Sequence, residues 1–160
     1  MLWLAAIRAA ICEIKLETLN RRKTVLCVDH QPLPLLIRKI LLEHAGYAVL
    51  TAESAQEGLQ LFASEEVDAV ILHYCLGEID GGVVSAQMKH LKQDTPIIVL
   101  LGSGDEPVVT VPVVDAFMSK LESPNILLAR LAEILCGNHS SVAKKQQKAK
   151  PTKAKANWVA

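Results

Sequence analysis

Aromatic side chains are scarce: Phe, Tyr and Trp together make up 4% of the 160 residues. Because 51% of the chain is nevertheless hydrophobic, its core has to be built from Val, Leu and Ile, the composition of a parallel sheet buried on both faces. Paired cysteine spacing is missing too. Cys12, Cys27, Cys75 and Cys136 form no CxxC unit, which argues against a disulfide framework and for reduced thiols in a cytoplasmic protein. No apolar run is long enough to cross a bilayer. The N-terminal "MLWLAAIRAAICEIK" is broken by Arg8 and Glu13, lacks a basic leader and falls short of the ~20 residues a span requires. Net charge is absent overall, with 17 basic and 17 acidic residues, but not locally. Residues 1–23 carry five basic and two acidic side chains, and residues 144–155 carry six lysines and no acid. Residues 24–143 are left with 6 basic and 15 acidic side chains, an acidic body between basic ends.

What is present alternates with a βα period. "TVLCV" (24–28) is an apolar, β-branched run of strand length. Leu33, Leu36, Ile37, Ile40 and Leu41 then recur at helical spacing, with Pro34 in a first turn and Gly46 as a stop. "YAVLTA" (47–52) is a second strand, and Ser54 with Glu57 has capping-box spacing ahead of Ala55, Leu59 and Phe62. "DAVILH" (68–73) is a third strand, followed by a helix sketched by Val84, Met88 and Leu91. "IIVLL" (97–101) and "VVDAFMS" (113–119) supply two more, and Ser123-Pro124 opens a last helix that closes at Gly137. Right-handed crossovers between such strands give an α/β fold, a doubly wound, flavodoxin-like five-stranded parallel sheet of order 2-1-3-4-5. Ligands in that order sit at the carboxyl ends of the first and third strands, so Asp29, His30 and His73 are expected in one pocket.

The segments "VLCVDHQPLPLLIRKILLEHAGYAVLTAESAQEGLQLF", "VDAVILHYCLGEIDGG", "TPIIVLL" and "DAFMSKLESPNILLARLAEIL" together resemble the receiver domain of bacterial two-component response regulators over residues 24–136. By that resemblance, Asp29 and His30 stand at the pair of acids after the first strand, and His73 at the phospho-accepting aspartate. Asp80-Gly81 matches the family's Asp-Gly, and Gly77 replaces a proline. Leu101 falls on a Thr/Ser position, with Ser103 two residues on. Phe117 matches the aromatic switch residue and Lys120 the lysine of the fifth strand, followed by Leu121 where proline is usual.

The departures fall on the chemistry. Phosphoryl transfer there requires an oxygen nucleophile and a Mg²⁺ held by hard oxygen ligands. Two of the three carboxylates that the resemblance implies are imidazoles, and the hydroxyl at Leu101 is gone. The expectation is therefore a degenerate phospho-acceptor pocket of Asp29, His30, His73 and Lys120, with no catalytic residue, no cofactor and no Mg²⁺. His73 is read first as a neutral imidazole hydrogen-bonded to Asp29 or to a backbone carbonyl. Phosphohistidine formation, or a transition-metal site from His30, His73, Asp29 and Cys75, are the alternatives.

Three further segments carry expectations. In "GSGDEPVVTVPV" (102–113), Pro107 and Pro112 flank a Val/Thr run of poor helix preference, so the fourth helix of the family is expected to be reduced. Residues 1–23 form an N-terminal extension whose stripe of Leu4, Ile7, Ile11 and Ile14 suits a short amphipathic helix facing a partner or a membrane surface. Residues 137–160 form a basic, low-complexity tail. Its Lys144, Lys145, Lys148, Lys150, Lys153 and Lys155 serve solubility or contact a polyanion. The whole reads as a stand-alone, cytoplasmic, non-enzymatic receiver-like module of phosphorelay signalling with no room for an output domain. It binds a protein such as a sensor histidine kinase or another response regulator through its fourth-strand and fifth-helix side. A metal- or pH-responsive sensor using His30 and His73, or a polyanion-binding protein, is the alternative.

Overall fold

The computed structural model describes residues 21–105 and 114–136. The N-terminal stripe, the lysine tail and residues 106–113, where the reduced fourth helix was expected, lie outside the described residues. Five parallel strands form one sheet: β1 (Thr24–Val28), β2 (Ala48–Ala52), β3 (Ala69–His73), β4 (Ile97–Leu101) and β5 (Ala116–Ser119). Their order is 2-1-3-4-5, as the βα alternation requires. Helices α1 (Pro32–His44), α2 (Ala55–Ser64), α3 (Gly81–Leu91) and α4 (Pro124–Leu135) cover the two faces. No helix among the described residues is long and apolar enough to cross a membrane.

The central strands are apolar throughout because both of their faces are covered. Val25 to Val28, Ala69 to Leu72 and Ile97 to Val99 have no exposed surface. Leu26, Val28, Val70 and Leu72 face α2 and α3 with Phe62, Val84 and Met88, while Val25, Cys27 and Ile71 face α1 and α4 with Leu35, Leu42 and Leu131. Burial in β1 pushes the Cys27 thiol up to about 12, so it is an inert core group.

Helix starts follow local chemistry. The Ser54 hydroxyl accepts the Glu57 N–H at 3.2 Å, and Glu57 reaches back to the Glu53 N–H at 2.9 Å, one residue earlier than a strict capping box. At α4, Ser123 holds the N-cap position but its hydroxyl makes no cap bond, and Pro124 preorganises the first turn. At α1, Gln31 is the N-cap without a side-chain cap bond, its amide oxygen being drawn to Lys120 instead.

One helical face differs from the sequence expectation. In α1 the core side is Leu35, Arg38 and Leu42, whereas Leu33, Leu36, Ile37 and Ile40 are 52–67% exposed. The helix carries apolar residues on two sides, and spacing alone does not say which one meets the sheet.

Between β3 and α3 the chain forms a tight antiparallel ladder, Cys75–Leu76 with Ile79–Asp80. Gly81 then passes so close to the end of β3 that a Cβ there would lie 2.8 Å from the Tyr74 carbonyl oxygen and 2.9 Å from that of His73. Both obstacles are backbone. Gly81→Ala is therefore expected to cost about 3 kcal/mol, read as a lowered denaturant midpoint at unchanged slope. A loss below about 0.5 kcal/mol would show that this turn moves freely.

Candidate functional site

The carboxyl ends of β1, β3 and β5 converge on Asp29, which is fully buried. A carboxylate there has to be paired, and its two oxygens are used differently. Oδ2 lies 3.0 Å from Lys120 Nζ and 3.4 Å from Arg38 Nη1. Oδ1 accepts the Gln31 N–H at 3.1 Å. It also faces two imidazoles, with His73 Nδ1 at 3.7 Å and His30 Nδ1 at 3.8 Å. Burial alone would raise the Asp29 carboxyl, but the contacts with Lys120 and the Gln31 N–H outweigh it and hold the group below its ordinary value.

His73 ends β3, where pairing with Leu100 in β4 fixes its backbone. The residue is 5% exposed. Nδ1 points towards Asp29 Oδ1, and Nε2 lies 3.9 Å from Asp105 Oδ2. Both separations exceed hydrogen-bond length, and neither buried ring nitrogen has a hydrogen-bond partner. Of the two partners expected for this imidazole, Asp29 is too far for a hydrogen bond, and the backbone contribution comes from Cys75; the ring is wedged between two carboxylates and bonded to neither. Burial pushes His73 below its ordinary value, aided by Lys120 and His30 and opposed by Asp29 and the nearby Cys75 backbone. His30 stacks on it, with ring centroids 5.5 Å apart and a 26° tilt, and its side chain is 37% exposed at the pocket rim.

Other residues separate from this centre. Cys75 lies outside the cluster: its thiol donates to Asp105 Oδ1 at 3.1 Å, and this bond raises the thiol's pKa. Among the described residues, the metal-ligating side chains that come together are Asp29, His30 and His73. Asp80 accepts the Gly82 N–H at 2.6 Å and the Tyr74 hydroxyl at 2.9 Å, so it is the N-cap of α3. Leu101 and Phe117 are partly buried against the α2–α3 side of the core, and Ser103 is exposed in the turn after β4. Three contributors were not foreseen: Arg38, Gln31 and Asp105. Arg38 left a trace, a charge at positions i+3 from Leu35 and i−4 from Leu42 on the buried side of α1.

These residues do not fit Mg²⁺, which takes an octahedron of oxygens. The pocket presents one carboxylate oxygen clear of the two cations, Asp29 Oδ1, beside two imidazoles.

Residues 25–132 match the model of the response regulator receiver domain. Over 100 residues the chain is 33% identical to the transcriptional regulatory protein GlrR of Escherichia coli K12, a match covering 62% of this chain and 22% of that protein. Over 116 residues it is 31% identical to the alkaline phosphatase synthesis transcriptional regulatory protein PhoP of Bacillus subtilis, covering 71% and 48%. The chain thus spans less than half the length of these two relatives. The structure is similar to that of response regulator protein TrrA from Thermotoga maritima in complex with Mg²⁺-BeF, with TM-score 0.65, 28% identity, and 70% and 98% of the two chains covered.

Proposed function

The chain belongs to the response regulator receiver domain family of two-component signalling, and we propose that it works there by binding another protein and does not accept a phosphoryl group. One observation carries this reading. At the end of β3 stands a buried imidazole, and the single neighbouring carboxylate after β1 spends one oxygen on Lys120 and Arg38. The TrrA structure holds Mg²⁺-BeF. Here the donors for such an ion are one carboxylate oxygen and two imidazole rings, a poor match to magnesium's preference for oxygen. The ion pair that remains fixes α1 and β5 to each other and gives the pocket one charge-balanced arrangement.

The surface supports interaction as the mode of action. The outward face of α1 presents Leu33, Leu36, Ile37 and Ile40 to solvent, and Leu121 and Ile126 extend the apolar surface at the start of α4. A cleft of about 360 Å³ between the two is lined by Ile37, Leu41, Met118, Leu121 and Leu127. Exposed apolar side chains on both sides of such a cleft support a docking site there. In this reading the partner, a sensor histidine kinase or another regulator, docks on the α1 side of β5, a different face from the fourth-strand and fifth-helix side expected from the sequence. The protein is a non-enzymatic, cytoplasmic module in this reading.

The test is intact-mass spectrometry of the full chain incubated with acetyl phosphate and Mg²⁺. The expected spectrum contains no phosphoryl adduct. An acid-labile adduct on His73 would overturn the reading.

A further inference from the structure

A buried imidazole that reaches neither flanking carboxylate at hydrogen-bond length is costly unless something supplies a partner. The two nitrogens of His73 face different carboxylates, Nδ1 towards Asp29 and Nε2 towards Asp105, neither of them at hydrogen-bond length. Nδ1 shares Asp29 Oδ1 with His30 Nδ1, at 3.7 Å and 3.8 Å. One ligand atom from each of the three residues lies within 4.8 Å of the others. Tetrahedral Zn²⁺ with bonds of about 2.0–2.1 Å puts its ligand atoms about 3.3–3.4 Å apart. The separations to Asp29 exceed this by about half an ångström, so His73 and Asp29 must draw slightly together, and the rim-exposed His30 ring must turn out of its stack on His73 for the two nitrogens to meet one ion. On the far side of His73, Nε2 faces Asp105 Oδ2 at 3.9 Å. Asp105 is itself held by the Cys75 thiol at 3.1 Å and the Gly102 N–H at 2.6 Å. Once the 3.9 Å gap closes to hydrogen-bond length, a carboxylate in this place behind a ligating imidazole sets the tautomer and aims the other nitrogen at the metal.

We infer that Asp29, His30 and His73 form a site for a late first-row transition-metal dication of the Zn²⁺ type, with Asp105 as the positioning residue behind His73. Asp29 ligates through Oδ1 alone, because Lys120 and Arg38 keep Oδ2. Three protein ligands leave a fourth position for water, and the exposed edge of His30 is the way in. Imidazole donors favour Zn²⁺ over Mg²⁺, so the departure from the Mg²⁺ pocket of the family becomes a change of metal. The site is the pocket treated above, but metal binding and phosphoryl acceptance are separate measurements.

The experiment titrates Zn²⁺ into the chelator-stripped full chain against a chromogenic indicator, in excess Mg²⁺. One Zn²⁺ per chain is expected, with affinity lowered about a hundredfold or more in His30→Ala and in His73→Ala, and about 10–100-fold in Asp105→Asn. His30→Ala alters a rim residue and leaves the fold intact, which circular dichroism checks. With Co²⁺ in place of Zn²⁺, the visible bands of a four-coordinate ion should appear in the wild type and vanish in both histidine variants. A wild type that holds no stoichiometric Zn²⁺ overturns this inference and leaves the preceding reading standing. So does binding that is unchanged in His30→Ala or in His73→Ala, because the ion then sits elsewhere. A phosphoryl adduct on the wild type overturns the preceding reading alone.

Discussion

Replacing both imidazoles by carboxylates, His30→Asp with His73→Asp, should give a chain that becomes phosphorylated by acetyl phosphate in the presence of Mg²⁺, where the wild type is expected to take up nothing. The rest of the pocket is in place. Asp29 is buried at the centre, and Lys120 lies 3.0 Å from it, ready to meet an anionic group at the end of β3. Each added carboxylate within about 4 Å of a cation contributes of order 4 kcal/mol per unit charge at an effective dielectric near 20, before desolvation is subtracted. Two of them should raise Mg²⁺ affinity well beyond tenfold. Without the ion the same groups repel each other, so the variant should be less stable than the wild type in chelator. Bound Mg²⁺ would restore about 2.7 kcal/mol at a concentration of a hundred times Kd. Leu101 offers no hydroxyl, so the adduct should form slowly. Intact mass gives the adduct and thermal melts with and without Mg²⁺ give the linkage. A variant that binds Mg²⁺ yet stays unmodified would mean that more than two side chains separates this scaffold from a working acceptor.

Much of this architecture was legible in the sequence because parallel strands buried on both faces read as unbroken apolar runs. "TVLCV" and "IIVLL" correspond residue for residue to β1 and β4, while the first strand residues assigned at Tyr47 and Asp68 lie just outside β2 and β3. The meeting of Asp29, His30 and His73 followed from strand order, since the ends of β1 and β3 are adjacent in any 2-1-3-4-5 sheet. What stayed illegible depends on side-chain direction. Leu33, Leu36, Ile37 and Ile40 make a good helical stripe, but Leu35 and Leu42 make another, and only packing decides which one the sheet covers. Asp105 comes from a loop with no periodic signal, and it reaches the pocket because the Gly102 N–H and the Cys75 thiol turn it inward. Cys75 looked like a ligand by proximity in sequence, and that same bond withdraws it.

The exposed stripe on α1 and the buried charges behind it are linked. Arg38 faces the core side of the helix whose outer side is apolar, and it reaches Asp29 from below while Lys120 reaches it from β5. Holding α1 against the sheet through this pair keeps Ile37 and Leu41 at the cleft shared with Leu121 and Leu127. On the proposed reading, the pocket acts as a strut beneath a docking surface.

Removing that strut should be the costliest single change in the pocket. Asp29→Ala leaves the Arg38 side chain, 8% exposed, without its counter-charge, and leaves Lys120 with the Gln31 amide oxygen alone. Deleting one partner of a buried ion pair costs about 3–5 kcal/mol, since the remaining charge stays desolvated. Among the described residues no crowd of carboxylates surrounds Asp29 whose repulsion the change could relieve: of the ionisable groups nearest it, two are cations and two are imidazoles. Lys120→Met should cost less, about 1–3 kcal/mol, because Asp29 then keeps Arg38 and the Gln31 N–H. Urea unfolding of the three proteins measures both values as changes in midpoint at constant slope. If Asp29→Ala lost under 1 kcal/mol, or Lys120→Met lost more than Asp29→Ala, the carboxylate would not be the keystone of the pocket, and its burial at the end of β1 would have to be explained by what it binds.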